Sequence, residues 1–143
     1  IFVEAESNKI GNLHIPKEFW KLMKSSPQIE ISATVEQRAQ FLVEEYSEIT
    51  TDLDLLEKQI TSLSTIAGPK VVESWLRMAK NKEFIELAKQ LIEKHYDPRY
   101  KRGLLRKKKE VFATLKLDDI SQKGLILMVD RILQTVNNRM KTL

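Results

Sequence analysis

Glu4 and Glu6 follow three β-favouring apolar residues, Ile1, Phe2 and Val3. In an extended strand the period of two puts both carboxylates on one side, with Ala5 on the other. Ser7 comes next. Two carboxylates and a hydroxyl at the end of a buried strand can hold a magnesium ion or a water poised for attack, because ligands of open α/β sheets gather at the carboxyl ends of the strands. A solvated turn after a buried strand is the ordinary alternative.

Two further groups of residues carry chemistry. Arg38 falls at the start of an expected helix, a place from which an arginine can reach over phosphates; an exposed arginine, or one paired with Glu36 or Glu45, is the plainer use. His95, Tyr96, Asp97 and Tyr100 bring an imidazole, two phenols and a carboxylate together around Pro98. They suit stacking on an RNA base or closing over a nucleotide. They equally suit a structural corner in which the rings pack on a sheet and Asp97 caps the turn.

The strongest purely physical signal is basic. Arg99, Lys101, Arg102, Arg106, Lys107, Lys108 and Lys109 fall in one stretch with no acidic residue among them. Without these seven, 17 of the 24 Lys and Arg remain against 20 Asp and Glu, so the rest of the chain is net negative. A polyanion is therefore drawn to this stretch rather than to the whole surface. A solvated face or a membrane surface is also compatible with such a run, but Tyr96 and Tyr100 beside it fit RNA better.

The elements that must position these groups can be read from periodicity. Residues 1–4 and 29–33 are expected as parallel strands of one sheet. A helix over residues 14–26 lies between them, with Pro16 near its first turn and Ser26-Pro27 ending it. Thr34 with Gln37 reads as a capping box, opening a helix with Val35, Ala39, Leu42, Val43 and Tyr46 on one face. A helix follows over residues 51–67, expected to pair antiparallel with that one and to stop at Gly68-Pro69. Val72, Trp75, Leu76 and Ala79 make the next stripe, and Phe84, Leu87, Ala88, Leu91 and Ile92 another, ending near His95 because Pro98 forbids continuation. Residues 111–117 alternate as a strand, with a helix extending from Leu104 as the competing reading. Asp118, Asp119 or Ser121 caps a final helix whose Leu125, Met128, Val129, Ile132, Val136 and Met140 are expected in the core.

In outline this predicts a helix-rich α/β protein: strand, helix and strand over residues 1–33, a helical subdomain over 34–97, and a basic segment with a terminal helix over 98–143. With 143 residues, 42% hydrophobic and 31% charged, one compact core can form. There is no cysteine, which rules out disulfides, thiolate metal sites and cysteine nucleophiles within these residues. No apolar run is long enough to span a bilayer, so a cytoplasmic protein is expected. The first residue is Ile and the chain opens inside an expected strand, which predicts a chain whose earlier part is not represented.

The order of Phe2-Val3-Glu4-Ala5-Glu6-Ser7, Lys9-Ile10-Gly11, Ile15-Pro16 and the distant His95-Tyr96-Asp97-Pro98 with Tyr100 resembles the C-terminal P-loop domain of the bacterial tRNA 2-selenouridine synthases. One departure is Asn8, where that family more often has a basic residue. The resemblance implies a partial P-loop NTPase-like parallel sheet with a helical subdomain. It puts Glu4, Glu6, Ser7 and Arg38 near a nucleotide and its magnesium, and the residues from His95 to Lys109 on tRNA. It also implies replacement of sulfur by selenium in a wobble 2-thiouridine, with selenophosphate as donor and a geranylated intermediate in the same family. The sulfur and selenium chemistry would fall to a rhodanese-like cysteine that nothing here matches. No G-x-x-x-x-G-K-[ST] motif occurs, so by itself the chain is not expected to hold or hydrolyse a nucleotide well. Two other readings stay open: a helical RNA-binding or interaction module without catalysis, and a P-loop small-molecule kinase in which Arg38 serves as a lid arginine.

Overall fold

A computed structural model describes residues 2–4, 7–105 and 111–141, the side chains of residues 102–105 excepted. Residues 2–4 form no strand: Phe2 and Val3 are more than half exposed, and no described strand lies beside them. The expected sheet of residues 1–4 with 29–33 is thus corrected. A parallel strand is held by ladder bonds on its edges, and the described residues supply none here. In its place, β1 (Lys9–Ile10) and β2 (Leu13–His14) make a short antiparallel hairpin. Gly11 takes the first position of its two-residue turn with φ of +57°, a conformation that favours glycine.

His14 therefore belongs to the hairpin, and α1 (Lys17–Ser25) starts only after Pro16. Ser26, forced extended by Pro27, ends α1 as expected. β3 (Gln28–Ser32) follows, and α2 (Val35–Glu45) opens on the capping box: the Gln37 N–H donates to Thr34 Oγ1 at 3.2 Å, and the Thr34 N–H to Gln37 Oε1 at 2.9 Å.

The helical part continues through α3 (Ser47–Thr51), α4 (Leu53–Ser62), α5 (Ser64–Ala67), α6 (Pro69–Lys80) and α7 (Phe84–Leu91). Asp52 caps α4, accepting the Leu55 N–H at 2.9 Å, and Gly68-Pro69 ends one helix and opens the next. Leu56, Ile60, Val72, Trp75, Ala79 and Leu87 form the main core, where α4 packs on α6 and α6 on α7. A second cluster joins Ala39 of α2 to Ala88 and Ile92. α2 therefore packs on α7, not on the helix after it as the sequence suggested. Ala39 and Ala88 are small enough to let those two backbones approach.

Beyond α7 the chain passes through a π-helical turn, Ile92–Tyr96, straight into α8 (Asp97–Leu105). β4 (Val111–Lys116) returns to pair parallel with β3, matching Ile29 with Ala113 and Ile31 with Leu115. The strand expected over residues 111–117 is present, and it takes the place of residues 1–4 as the partner of β3.

α9 (Gln122–Met140) is capped by Ser121, whose hydroxyl accepts the Gly124 N–H at 3.3 Å. It buries Gly124 and Met128 and half-buries Ile132 and Val136, while Leu125, Val129 and Met140 lie largely exposed and so are not the core residues expected. No helix among the described residues is long and apolar enough to cross a membrane.

Candidate functional site

The site residues gather at two places. Glu4 and Ser7 line an open groove of about 580 Å³ with Lys9, His14 and the apolar Val3 and Phe19. The groove walls come from the first 23 residues, with no residue of α2 or α8 among them. Ser7 accepts the Lys9 N–H at 3.1 Å, which closes the turn into the hairpin. Glu6 lies outside the described residues, as do Arg106, Lys107, Lys108, Lys109 and the side chain of Arg102.

The second place is the junction of α2 with α8. Arg38 holds Asp97 through a bidentate pair, Nη1 to Oδ1 and Nη2 to Oδ2, both at 2.8 Å. The bond from Arg38 holds the Asp97 carboxyl below its ordinary range, and the same bond raises the guanidinium against the pull of partial burial. Arg38 is thus neither free nor paired with Glu36 or Glu45. The partner lies 59 positions away, beyond the reach of local reasoning. The neighbouring Gln37 extends the junction, since its amide donates to the carbonyls of Leu117 at 3.3 Å and Asp118 at 2.8 Å.

The sequence placed a helix end at His95, and the structure corrects this. In the π-helical turn the Asp97 N–H bonds to the carbonyl of Ile92, five residues back. Pro98, the second residue of α8, follows this change of register directly. Tyr96 and Tyr100, four positions apart on the emerging helix, are both well exposed, as are Arg99 and Lys101.

His95 turns the other way and is only 6% exposed. Its ring meets the Tyr96 ring edge-on at 5.1 Å, and its Nε2 lies 3.5 Å from Arg99 Nη1. A guanidinium only donates, so in a hydrogen bond across this contact Nε2 is the acceptor. Burial first, and then Arg99, push the imidazole below its usual pKa.

A pH dependence follows. His95 stays neutral in the folded protein but protonates in the unfolded chain at about 6.5, so between the two pKa values the unfolded state binds more protons. Stability is full above pH about 6.5 and is lost as pH falls through the depressed folded value. Asp97, also depressed, adds a second loss at lower pH, below its unfolded value of about 3.9. A lower melting temperature at pH 5.5 than at pH 7.5, with the difference reduced in His95→Gln, is the expected result. Equal pH slopes for the two proteins would remove His95 as the cause.

Among the described residues no three His, Asp or Glu side chains converge on a point that could hold a metal ion. With no glycine-rich cradle in the chain and the Arg38 fork taken by Asp97, the residues present do not fit a nucleotide and its magnesium by themselves.

A small parallel sheet, a capped helix leaving the end of β3 and a helical insertion carrying exposed cations and phenols define a helix-rich α/β protein. Residues 1–60 match the family model described as the tRNA 2-selenouridine synthase AAA domain, the family that the sequence resembles. No curated protein and no solved structure matches the chain.

Proposed function

We propose that the chain forms the AAA-type, P-loop NTPase-like part of a tRNA 2-selenouridine synthase, an enzyme that replaces the sulfur of a wobble 2-thiouridine with selenium from selenophosphate. The family match over residues 1–60 carries this reading. The chain has no cysteine, so its own contribution is binding and positioning rather than covalent sulfur or selenium transfer. tRNA is the partner, and the reaction belongs in the cytoplasm with it. Glu4, with Glu6 and Ser7, would face a nucleotide or its magnesium once the phosphate cradle is supplied from elsewhere.

The tRNA grip is α8 with the basic run behind it. Exposed Tyr96 and Tyr100 offer rings on which a base stacks, and Arg99 and Lys101, with Arg102 and Arg106 to Lys109 in sequence, offer cations for phosphates. If this run neutralises about four phosphates, log K against log salt has a slope of roughly −3 to −4.

Changing Lys107, Lys108 and Lys109 together to Ala should flatten that slope by about two to three units and weaken different tRNAs alike, because phosphate contacts carry no sequence information. Tyr100→Ala should cost roughly 1 to 3 kcal/mol with little change in slope. Unchanged affinity and slope after the triple substitution would place the tRNA site elsewhere.

A further inference from the structure

α8 continues from α7 through the π-helical turn without a break. Among the described residues its main neighbour is the π-helical turn from which it grows. Asp97, the first residue of α8, ties it to α2 through the fork of Arg38. A bidentate guanidinium–carboxylate pair fixes angle as well as distance, because two parallel bonds hold the two planes together.

The Arg38 end of the pair is itself immobilised. Arg38 stands in the first turn of α2, next to Gln37, which closes the capping box with Thr34 and reaches the two carbonyls that follow β4. Thr34 and the Leu117 carbonyl adjoin the ends of the two paired strands. The first turn of α2 therefore refers the direction of α8 to the parallel sheet.

We propose that Arg38 and Asp97 are positioning residues for tRNA: the pair anchors α8 so that Arg99, Tyr100 and Lys101 meet the RNA together. This rests on α8 being the tRNA grip. It replaces the expectation that Arg38 touches a phosphate, since the fork that would grip one is already filled. It also predicts the opposite sign from simple electrostatics. Asp97 is a negative charge at the root of a cationic helix, close enough to Lys101 for the lysine to help depress its pKa. By Coulomb's law alone, removing that charge tightens RNA binding. As an anchor, its removal weakens binding.

The test compares wild-type protein with Asp97→Asn, Arg38→Gln and the exchanged pair Arg38→Asp with Asp97→Arg. Two measurements are made: tRNA affinity as a function of salt, and amide hydrogen exchange of free protein over residues 99–105. Asp97→Asn should weaken tRNA binding about threefold to tenfold with the salt slope unchanged, and should speed exchange in α8 while amides of α6 keep their protection. The exchanged pair should recover part of both losses, which a purely destabilising substitution would not do.

Tighter binding by Asp97→Asn would overturn the proposal. Unchanged exchange over residues 99–105 would overturn it whether or not RNA binds. Wild-type protein that binds no tRNA, with α8 exchange still accelerated in Asp97→Asn, would remove the tRNA role of α8 and with it the positioning role, leaving only a structural tie.

Discussion

Trp75→Ala is expected to lower the free energy of unfolding by about 3 to 5 kcal/mol, the range found when a fully buried large ring is deleted. Trp75 has no exposed surface, and it sits among Leu56, Ile60, Val72, Ala79 and Leu87 where α4, α6 and α7 meet. Those neighbours come from three helices, so no single side chain can move in to fill the space. A domain is stable by only about 5 to 15 kcal/mol, so the helical part should be close to unfolding in this variant. Urea denaturation followed by helical circular dichroism would show the midpoint move with little change in slope. Trp75→Phe should cost much less: the indole Nε1 is buried with no partner among the described residues, so the substitution removes an unsatisfied donor along with some volume. Equal losses for the two variants would contradict this account of the core.

Gly124→Ala carries the second large effect. Alanine usually stabilises a helix by about 1 kcal/mol over glycine, and Gly124 lies in the first turn of α9. Here the sign reverses. A Cβ at this position would stand 2.0 Å from the backbone oxygen of Asp119 and 2.6 Å from its carbonyl carbon. Backbone cannot rotate away as a side chain can, so the loop before α9 or the helix itself must shift. Overpacking of this kind costs typically 1 to 3 kcal/mol, and a backbone obstacle puts it at the upper end. The Ser121 cap, which accepts the Gly124 N–H and is bonded in turn by its own N–H and hydroxyl to Asp119, would be pulled apart with it. Thermal melts of Gly124→Ala beside Gln122→Ala, at a neighbouring exposed position of the same turn, separate this clash from a general effect of substitution in α9. A Gly124→Ala protein as stable as its parent would overturn it.

What the sequence showed clearly was local. The Thr34–Gln37 box, the Ser26-Pro27 stop and the Gly68-Pro69 boundary each depend on residues within four positions of one another and each is present, while of the three caps the sequence offered for the last helix it is Ser121 that closes it. The misses have a common physical origin in partners distant along the chain. Residues 1–4 carry the composition of a strand, but a strand exists only where a neighbour completes its ladder, and among the described residues none does. The apolar stripe of α9 was counted as core because periodicity reports which face is greasy, not whether anything covers it.

Of the candidate site, the cluster around Asp97 was visible as a set of residue types, and its geometry was not. Pro98 was read as a stop because proline breaks an α-helical register, whereas the π-helical turn changes the register just ahead of it. The link from Arg38 to Asp97 had no signal in sequence beyond two opposite charges, and charged neighbours closer to Arg38 were available. The burial of His95 beside exposed Tyr96, their rings meeting edge-on, likewise had no signal in the residue types.

The parallel pairing of β3 with β4 also governs the order in which the protein can assemble. Gln37 and Leu117, at the mouth of the sheet, are 80 positions apart. Closing a flexible loop of that size costs about 2 kcal/mol more chain entropy than closing one of ten residues, and the cost comes before any strand contact repays it. Among the intervening helices, α4 meets α6 and α6 meets α7 over shorter separations than the strands do, and contacts of lower sequence separation form faster. Once they have condensed, with α2 seated on α7 and α8 pinned through Asp97, much of the 80-residue gap is already spanned by rigid structure. The sheet is thus expected to close after the helices. In that order the helical core around Trp75 is the template, and weakening it is expected to slow the formation of strands outside that core.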